Sequence, residues 1–303
     1  MEAKRIRKGR WLRRSLRVLA VLLVLVIAAC FVADHYLQFR KSDKDLTQVF
    51  SNGGIPASIH YYTSGGRRLR YISSGDERRP TLLFLHGSPG SISYYGRRFS
   101  DDSIARNFFV LAVDRPGYGY SGFGDPEPSI QKQAAMIRPL LDSLYHAQHP
   151  IIVVGSSYGS SVACRLAMDY PGLVDGLVLT GPSLAPGQET MFWITPVIEN
   201  PLVRWFIPRA FRSANTEKYH HRDELEKMLP YWKNIHVPVA YLQGAKDNII
   251  DTSNAGFARS HLVNAPSLDI HFFPQREHLL AQYEWPTIRA NIMKVYARAK
   301  GSE

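Results

Sequence analysis

Short, wholly apolar runs alternate with longer amphipathic segments along most of the chain. TLLFL from Thr81, FFVLAV from Phe108, IIVV from Ile151, LVLT from Leu177 and VAYLQ from Val239 are apolar at odd and even positions alike. Strands of that kind belong in a parallel sheet covered by helices on both faces. LDIHFF from Leu268 closes the series, and His271 within it is expected to face the core or a covering helix. Ahead of them, IHYYTSGG and LRYISSG read as a hairpin turning at Gly65-Gly66. Apolar residues at helical spacing predict helices over Ser129–Gln148, Tyr158–Tyr170, Asn254–Leu262 and Ile288–Ala299. Strand and helix in regular alternation predict an α/β fold with a mostly parallel twisted sheet flanked by helices.

Two stretches break the rhythm. Between Thr180 and Val237 lie more than fifty residues rich in aromatics, among them Phe192, Trp193, Trp205 and Phe211. That is too long for a connection and too aromatic for a loose loop, so it predicts an inserted helical cap over about residues 184–236. At the other end, Val18–Ala33 carries no charge. As a helix it spans about 24 Å, slightly short of the hydrocarbon core of a bilayer, and flanking Leu16 and Tyr36 extend it.

Charge sharpens the reading of that segment. The chain carries a formal +11, but residues 1–17 hold eight basic residues against Glu2 alone, a net of +7. The excess is therefore a local head and not a basic face on the folded part, which argues against nucleic acid as a partner. A basic head before an apolar run predicts a transmembrane anchor over residues 18–36, with its basic end in the cytoplasm and the domain on the other side. A secretory signal has the same outline, and Ile27-Ala28-Ala29-Cys30 resembles a lipobox, which would instead put a lipid on Cys30. Residues 37–57, with Gly53, Gly54 and Pro56, are expected to be a linker, and 58–303 the folded domain. Cys164 falls in a predicted core helix, so no disulfide is available within that domain.

The sharpest chemical signal is Gly155-Ser156-Ser157-Tyr158-Gly159, between the strand IIVV and a predicted helix. This G-x-S-x-G pattern at a strand-to-helix turn presents its central serine as a nucleophile, while the glycines let strand and helix approach. A serine hydroxyl needs a base to take its proton and an acid to orient the base. In the order serine, acid, histidine, Asp247 follows the strand VAYLQG, and His278 lies in the loop after LDIHFFP. The rivals are Asp251, His236 and His271. His220-His221 is an adjacent pair that does not face one metal ion, and Asp223 beside it is expected to begin a helix. No metal set, phosphate loop or dinucleotide fingerprint is present in the sequence, so no cofactor is expected.

His86-Gly87-Ser88-Pro89-Gly90 after the strand TLLFL resembles the H-G-x-P-G loop of the α/β-hydrolase fold superfamily. Asp114-Arg115-Pro116-Gly117-Tyr118-Gly119-Tyr120-Ser121 is similar to that superfamily's D-R-P-G-x-G-x-S turn, whose role there is architectural. The resemblance covers roughly Ile59–Ala299 outside the cap. It implies an α/β-hydrolase fold and an oxyanion hole built from the main-chain N–H groups of Ser88 and Tyr158. Members that use an aspartate nucleophile, the haloalkane dehalogenases and epoxide hydrolases, differ at position 157. Proline iminopeptidases carry related loops and use cap acids to hold a substrate amine; Glu189, Glu199, Glu217, Glu224 and Glu226 are the acids on offer here. The reading is an esterase-like serine hydrolase working by acyl transfer on a small to medium apolar ester near a membrane. Proline-iminopeptidase-like and carbon–carbon bond hydrolases are the alternatives, with a non-catalytic binding module of the same fold beyond them.

Overall fold

The computed structural model describes residues 2–52, 56–96, 98, 101–142, 149–188 and 190–301. Helix α1 (Glu2–Tyr36) is followed by α2 (Asp43–Asn52) and the hairpin β1 (Ala57–Ser64) and β2 (Arg67–Ser74). Gly65 and Gly66 both take positive φ, 57° and 74°. Two such residues make the tight turn whose twist matches a hairpin. Then come β3 (Thr81–Leu85), α3 (Asp102–Asn107), β4 (Phe109–Val113), α4 (Ile130–Asp142), β5 (Ile151–Ser156), α5 (Tyr158–Asp169) and β6 (Gly176–Thr180). Between β6 and β7 the described residues include α6 (Thr195–Ile198), α7 (Pro201–Arg204) and α8 (Arg209–Met228). The chain ends through β7 (Val239–Gly244), α9 (Asn254–His261), β8 (Leu268–Phe273), α10 (Leu280–Tyr283) and α11 (Trp285–Ala299).

The eight strands form one sheet in the order β1-β2-β4-β3-β5-β6-β7-β8. Pairings β1–β2 and β2–β4 are antiparallel, and every later pairing is parallel. Because successive side chains leave a strand on opposite faces, the apolar runs feed two cores at once. Leu83, Leu85, Leu111 and Val153 pack under α4 and α5, while Leu82, Phe84, Val110 and Val154 pack against α2 and α11. This is the α/β sheet the alternating runs predict.

Several details differ from expectation. The stretch 37–57 carries α2, whose Leu46 and Phe50 are fully buried against the second core. It is part of the fold, because an amphipathic turn hidden among polar residues found an apolar face to cover; Gly53 and Gly54 lie outside the described residues. The helix expected to reach Gln148 is seen over Ile130–Asp142, and 143–148 are likewise outside the description. His271 is exposed: β8 is the sheet's edge strand and only partly covered, so this position meets solvent. Asp223 lies well inside α8 and does not begin it.

Helix α1 is long and apolar enough over Arg14–Tyr36 to cross a membrane, and none of that apolar window is buried in the fold. It is therefore not a core helix. Its last turns meet the cap region, where Asp34 accepts hydrogen bonds from Arg209 N and Nε at 2.6 and 2.9 Å. Phe31 sets its ring edge-on to Trp205, and Phe39 does the same to Phe211. Just beyond, Arg40 donates to Gly119 O at 2.7 Å.

Candidate active site

Ser157 sits between β5 and α5 at the carboxyl end of the sheet, where open α/β sheets hold their ligands. Its φ of 52° and ψ of −123° are strained for a residue with a side chain. Neighbouring glycines make that turn feasible. A Cβ on Gly159 would lie 2.4 Å from Leu85 O and 2.6 Å from His86 O, and one on Gly155 would lie 2.6 Å from Ser160 Cα. Only a bare backbone lets α5 come down onto β3 and β5 here.

Asp247 and His278 are brought together from the loops after β7 and β8. His278 Nδ1 and Asp247 Oδ2 are 2.8 Å apart, with the Asp247 side chain fully buried. Burial alone would raise the Asp247 pKa. The His278 hydrogen bond and charge, with the N–H groups of Ile250 and Ile249, outweigh it and hold the carboxyl below the ordinary aspartate value. As a carboxylate acceptor it fixes His278 with its proton on Nδ1 and Nε2 turned away from the acid. Among the described residues no hydrogen bond joins Ser157 Oγ to that ring. The two meet across Gly181: Ser157 N donates to Thr180 O at 2.9 Å, and the His278 ring lies about 3 Å from where a Gly181 Cβ would stand. Such contacts are commonly loose without substrate. Asp251 instead accepts from Ser253 N in its own turn, and His236 and His271 are exposed away from this site.

Ser88, Ser157 and Tyr158 line one cavity of about 350 Å³. The Tyr158 N–H opens α5 and so has no helical acceptor. Neither it nor the Ser88 N–H has a main-chain acceptor outside helices and strands among the described residues. Both are available to an oxygen in the cavity. Much of the remaining wall is apolar and comes from the stretch between β6 and β7, with Phe192, Ile194, Ile198 and Phe211; Ile249 and Ile250 after β7 add to it, and Lys218, His221 and Asn215 are among its polar members. Lys218 Nζ lies over the Phe192 ring, and His221 is packed on the Tyr158 ring.

Behind the Ser88 loop lies a buried network that sequence reading missed. Arg115 Nη1 is 2.6 Å from Glu217 Oε1, with both side chains wholly buried. Arg115 also donates to His86 O and Gly87 O, and its guanidinium lies over the rings of Tyr118 and Tyr158. Tyr118 donates its hydroxyl proton to the Glu217 carboxylate at 2.7 Å, so the Ser88 hydroxyl, 2.6 Å away, must donate to Tyr118. Glu217 is on α8. Its pairing with Arg115 ties the region over the sheet to the loop that carries Ser88. The D-R-P-G turn announced a buried Arg115 only as architecture, and nothing in the sequence distinguished Glu217 from the other acids of α8.

His86 is fully buried in the same loop. Its Nε2 accepts from Arg115 N at 3.0 Å and its Nδ1 lies 2.7 Å from Gly87 O, so the neutral form protonated on Nδ1 satisfies both. Burial, reinforced by the Arg115 charge, drives its pKa well below 6.5. An unfolded chain binds a proton below pH 6.5 that this histidine refuses when folded. Stability is therefore lost as the pH falls from 6.5 toward the folded pKa, with a slope approaching 1.4 kcal/mol per pH unit. Denaturant unfolding at pH 7 and pH 5 measures that slope, and His86→Gln should flatten it by about one proton relative to wild type.

The sheet order, the serine turn and the two loops define the class. The profile described as alpha/beta hydrolase fold matches residues 80–206, and the eight-stranded, mostly parallel sheet flanked by helices is that of the α/β-hydrolase fold. It is 30% identical over 201 residues to a 1-acylglycerol-3-phosphate O-acyltransferase of Arabidopsis thaliana, covering 62% of this chain and 47% of that protein. The chain thus spans about half the length of that curated relative. Among solved structures it is similar to a putative lipase of Acinetobacter baumannii, with a TM-score of 0.66 at 19% identity, covering 86% of this chain and 97% of that one. It is similar also to a bacterial membrane phospholipase A, with a TM-score of 0.66 at 18% identity, covering 95% of this chain and 99% of that one. At those identities the likeness is one of fold.

Proposed function

We propose that this protein is a serine hydrolase acting by acyl transfer on esters with an apolar acyl part, held at a membrane by α1. The observation that carries the reading is the strained Ser157 turn opening on an apolar cavity, beside a histidine already bonded to a buried carboxylate. His278 Nε2 accepts the Ser157 proton as Oγ bonds to the ester carbon, and Asp247 stabilises the imidazolium that forms. The Ser88 and Tyr158 N–H groups hold the oxygen that becomes negative. His278 then returns the proton to the departing alkoxide, and the acyl group stays on Ser157. Water, activated by the same histidine, releases the acid and restores the serine.

The cap acids speak against an aminopeptidase of the iminopeptidase kind. Glu217 is neutralised by Arg115. Glu199 bonds Asn215, Thr216 and Arg204, while Glu224 bonds Ile130 N and Lys227. Glu226 pairs with Arg222, and Glu189 lies outside the described residues. None of the described acids lines the cavity. The placement of α1 supports an anchor that keeps the domain beside the bilayer, on the side away from its basic end.

A series of nitrophenyl esters of increasing acyl length tests the substrate class. With each added methylene buried in the cavity, kcat/KM should rise by up to about fourfold until the cavity is filled, then level off. A rate that does not depend on acyl length, or that is unchanged in Ser157→Ala, would remove the reading.

A further inference from the structure

Large apolar side chains around the cavity are exposed among the described residues. Trp193 is 84% exposed and Leu202 79%, and Met191, Phe192, Trp205 and Phe211 are each exposed by more than a third. Exposed large apolar side chains gathered in one region mark a contact site. Phe192 and Phe211 belong both to this patch and to the wall of the cavity that holds Ser157. The patch is therefore the rim of the entrance.

Its position along α1 decides what touches it. Ile27, Cys30 and Phe31 of α1 line a second cavity, of about 350 Å³, whose other wall is Trp205, Phe206, Ile207, Arg209 and Arg212. Ile27 and Phe31 belong to the uncharged run that ends at Ala33. At 1.5 Å per residue they lie about 9 and 3 Å inside its end. Whatever packs against them stands at the depth of the outer hydrocarbon. Asp34, the first charge after the run, is held by Arg209, which pins the same segment at the polar boundary. Interfacial elements bury their apolar faces some 5–10 Å deep, with aromatic and basic residues at the boundary. The mixture of Trp193, Trp205 and Phe192 with Arg209 and Arg212 has that character.

We infer that the apolar rim formed by Met191, Phe192, Trp193, Leu202, Trp205 and Phe211 is a second membrane-binding surface that sets the mouth of the Ser157 cavity into the bilayer from which α1 emerges. An apolar ester then passes from lipid into the cavity past Phe192 and Phe211 without crossing water. This rests on the reading of α1 as an anchor and of Ser157 as the nucleophile, and deepens it by naming a lipid-dissolved ester as the substrate class. A second copy of this chain is the competing occupant. The bilayer is favoured because the patch is continuous with a helix that itself enters lipid.

The test uses the full chain reconstituted into phosphatidylcholine vesicles brominated near the headgroup end of the acyl chains. With Trp11→Phe as background, Trp193 and Trp205 should supply most of the lipid-dependent quenching of tryptophan fluorescence. Adding Trp193→Phe and Trp205→Phe should remove more than half of it. Quenching that is unchanged overturns the inference. So does a dimer that the paired Trp193→Glu, Leu202→Glu variant dissolves while lipid quenching is absent. That same variant should hydrolyse a short soluble ester within twofold of wild type and a long-chain ester dispersed in the vesicles about tenfold more slowly. Equal loss on both esters, or none on either, counts against the inference. Retention of the chain through an alkaline wash of the vesicles reports on the anchor, and Ser157-dependent fluorophosphonate labelling reports on the nucleophile. A chain that washes off removes the anchor and the rim together. A chain that stays and labels but shows no lipid quenching removes the rim alone.

Discussion

Replacing Ser157 by Ala should lower kcat by about a millionfold and abolish fluorophosphonate labelling, while leaving the thermal unfolding curve in place. The size follows from how such sets of residues behave. Once the nucleophile is gone the base and acid have nothing to activate, and the residue left is the contribution of the oxyanion donors and of binding. His278→Ala should fall about as far, because an unassisted hydroxyl scarcely ionises at neutral pH. Asp247→Asn should cost about ten thousandfold, since the amide leaves the ring in place while favouring the wrong tautomer. The Ser157→Ala, His278→Ala double variant should be no worse than either alone. Additive losses would mean that the two side chains act separately. The fold should tolerate Ser157→Ala because the strain at φ 52° belongs to the backbone, and alanine keeps the Cβ and removes only the hydroxyl.

Glu217→Ala should be the most destabilising single change outside the two cores, by about 3–5 kcal/mol in denaturant unfolding. Arg115 would remain fully buried with its charge uncompensated, and Tyr118 would lose the acceptor for its hydroxyl proton. The guanidinium has no route to water, because it lies over Tyr118 and Tyr158. Glu217→Gln keeps the shape but removes the charge, and should cost less. The loss should extend beyond stability. Arg115 holds the carbonyls of His86 and Gly87, and Tyr118 holds the Ser88 hydroxyl. The refolded Gln variant should therefore show a lower kcat at nearly unchanged KM for a short ester. A variant as stable as wild type would show that the buried pair is not coupled to folding.

Much of this architecture was legible along the chain, for a physical reason. Runs such as TLLFL and IIVV are apolar at every position, and only strands covered on both faces keep such runs from water, so the sheet could be read without coordinates. Ser157 was legible because a strained turn between strand and helix imposes glycines at fixed spacing. Asp247 and His278 were named from chain order alone, and the structure brings them to 2.8 Å. Helix α2 was not legible. Leu46, Val49 and Phe50 are the few apolar residues of α2, and the burial of Leu46 and Phe50 depends on a second-core face made by residues far away in the chain. The exposure of His271 depends on β8 lying at the sheet edge, a matter of strand order that no local pattern encodes.

Local constraints, then, were decided by the sequence by itself: which segments are strands, where the strained Ser157 turn must be, and that a basic head precedes an apolar helix. Each is set by neighbours within a few residues, through periodicity, backbone strain or charge. The tertiary structure alone decided the long-range pairings. It selected Glu217 from the acids between β6 and β7 to neutralise Arg115, and among the described residues no carboxylate lines the cavity. It also set Trp205 against Phe31 of the helix that is apolar enough to enter a membrane, and Phe211 of the Ser157 cavity against Phe39 just beyond that helix. Those outcomes turn on which surfaces meet when the cap folds over the sheet, and residues a hundred or more positions apart carry no mark of each other until they do.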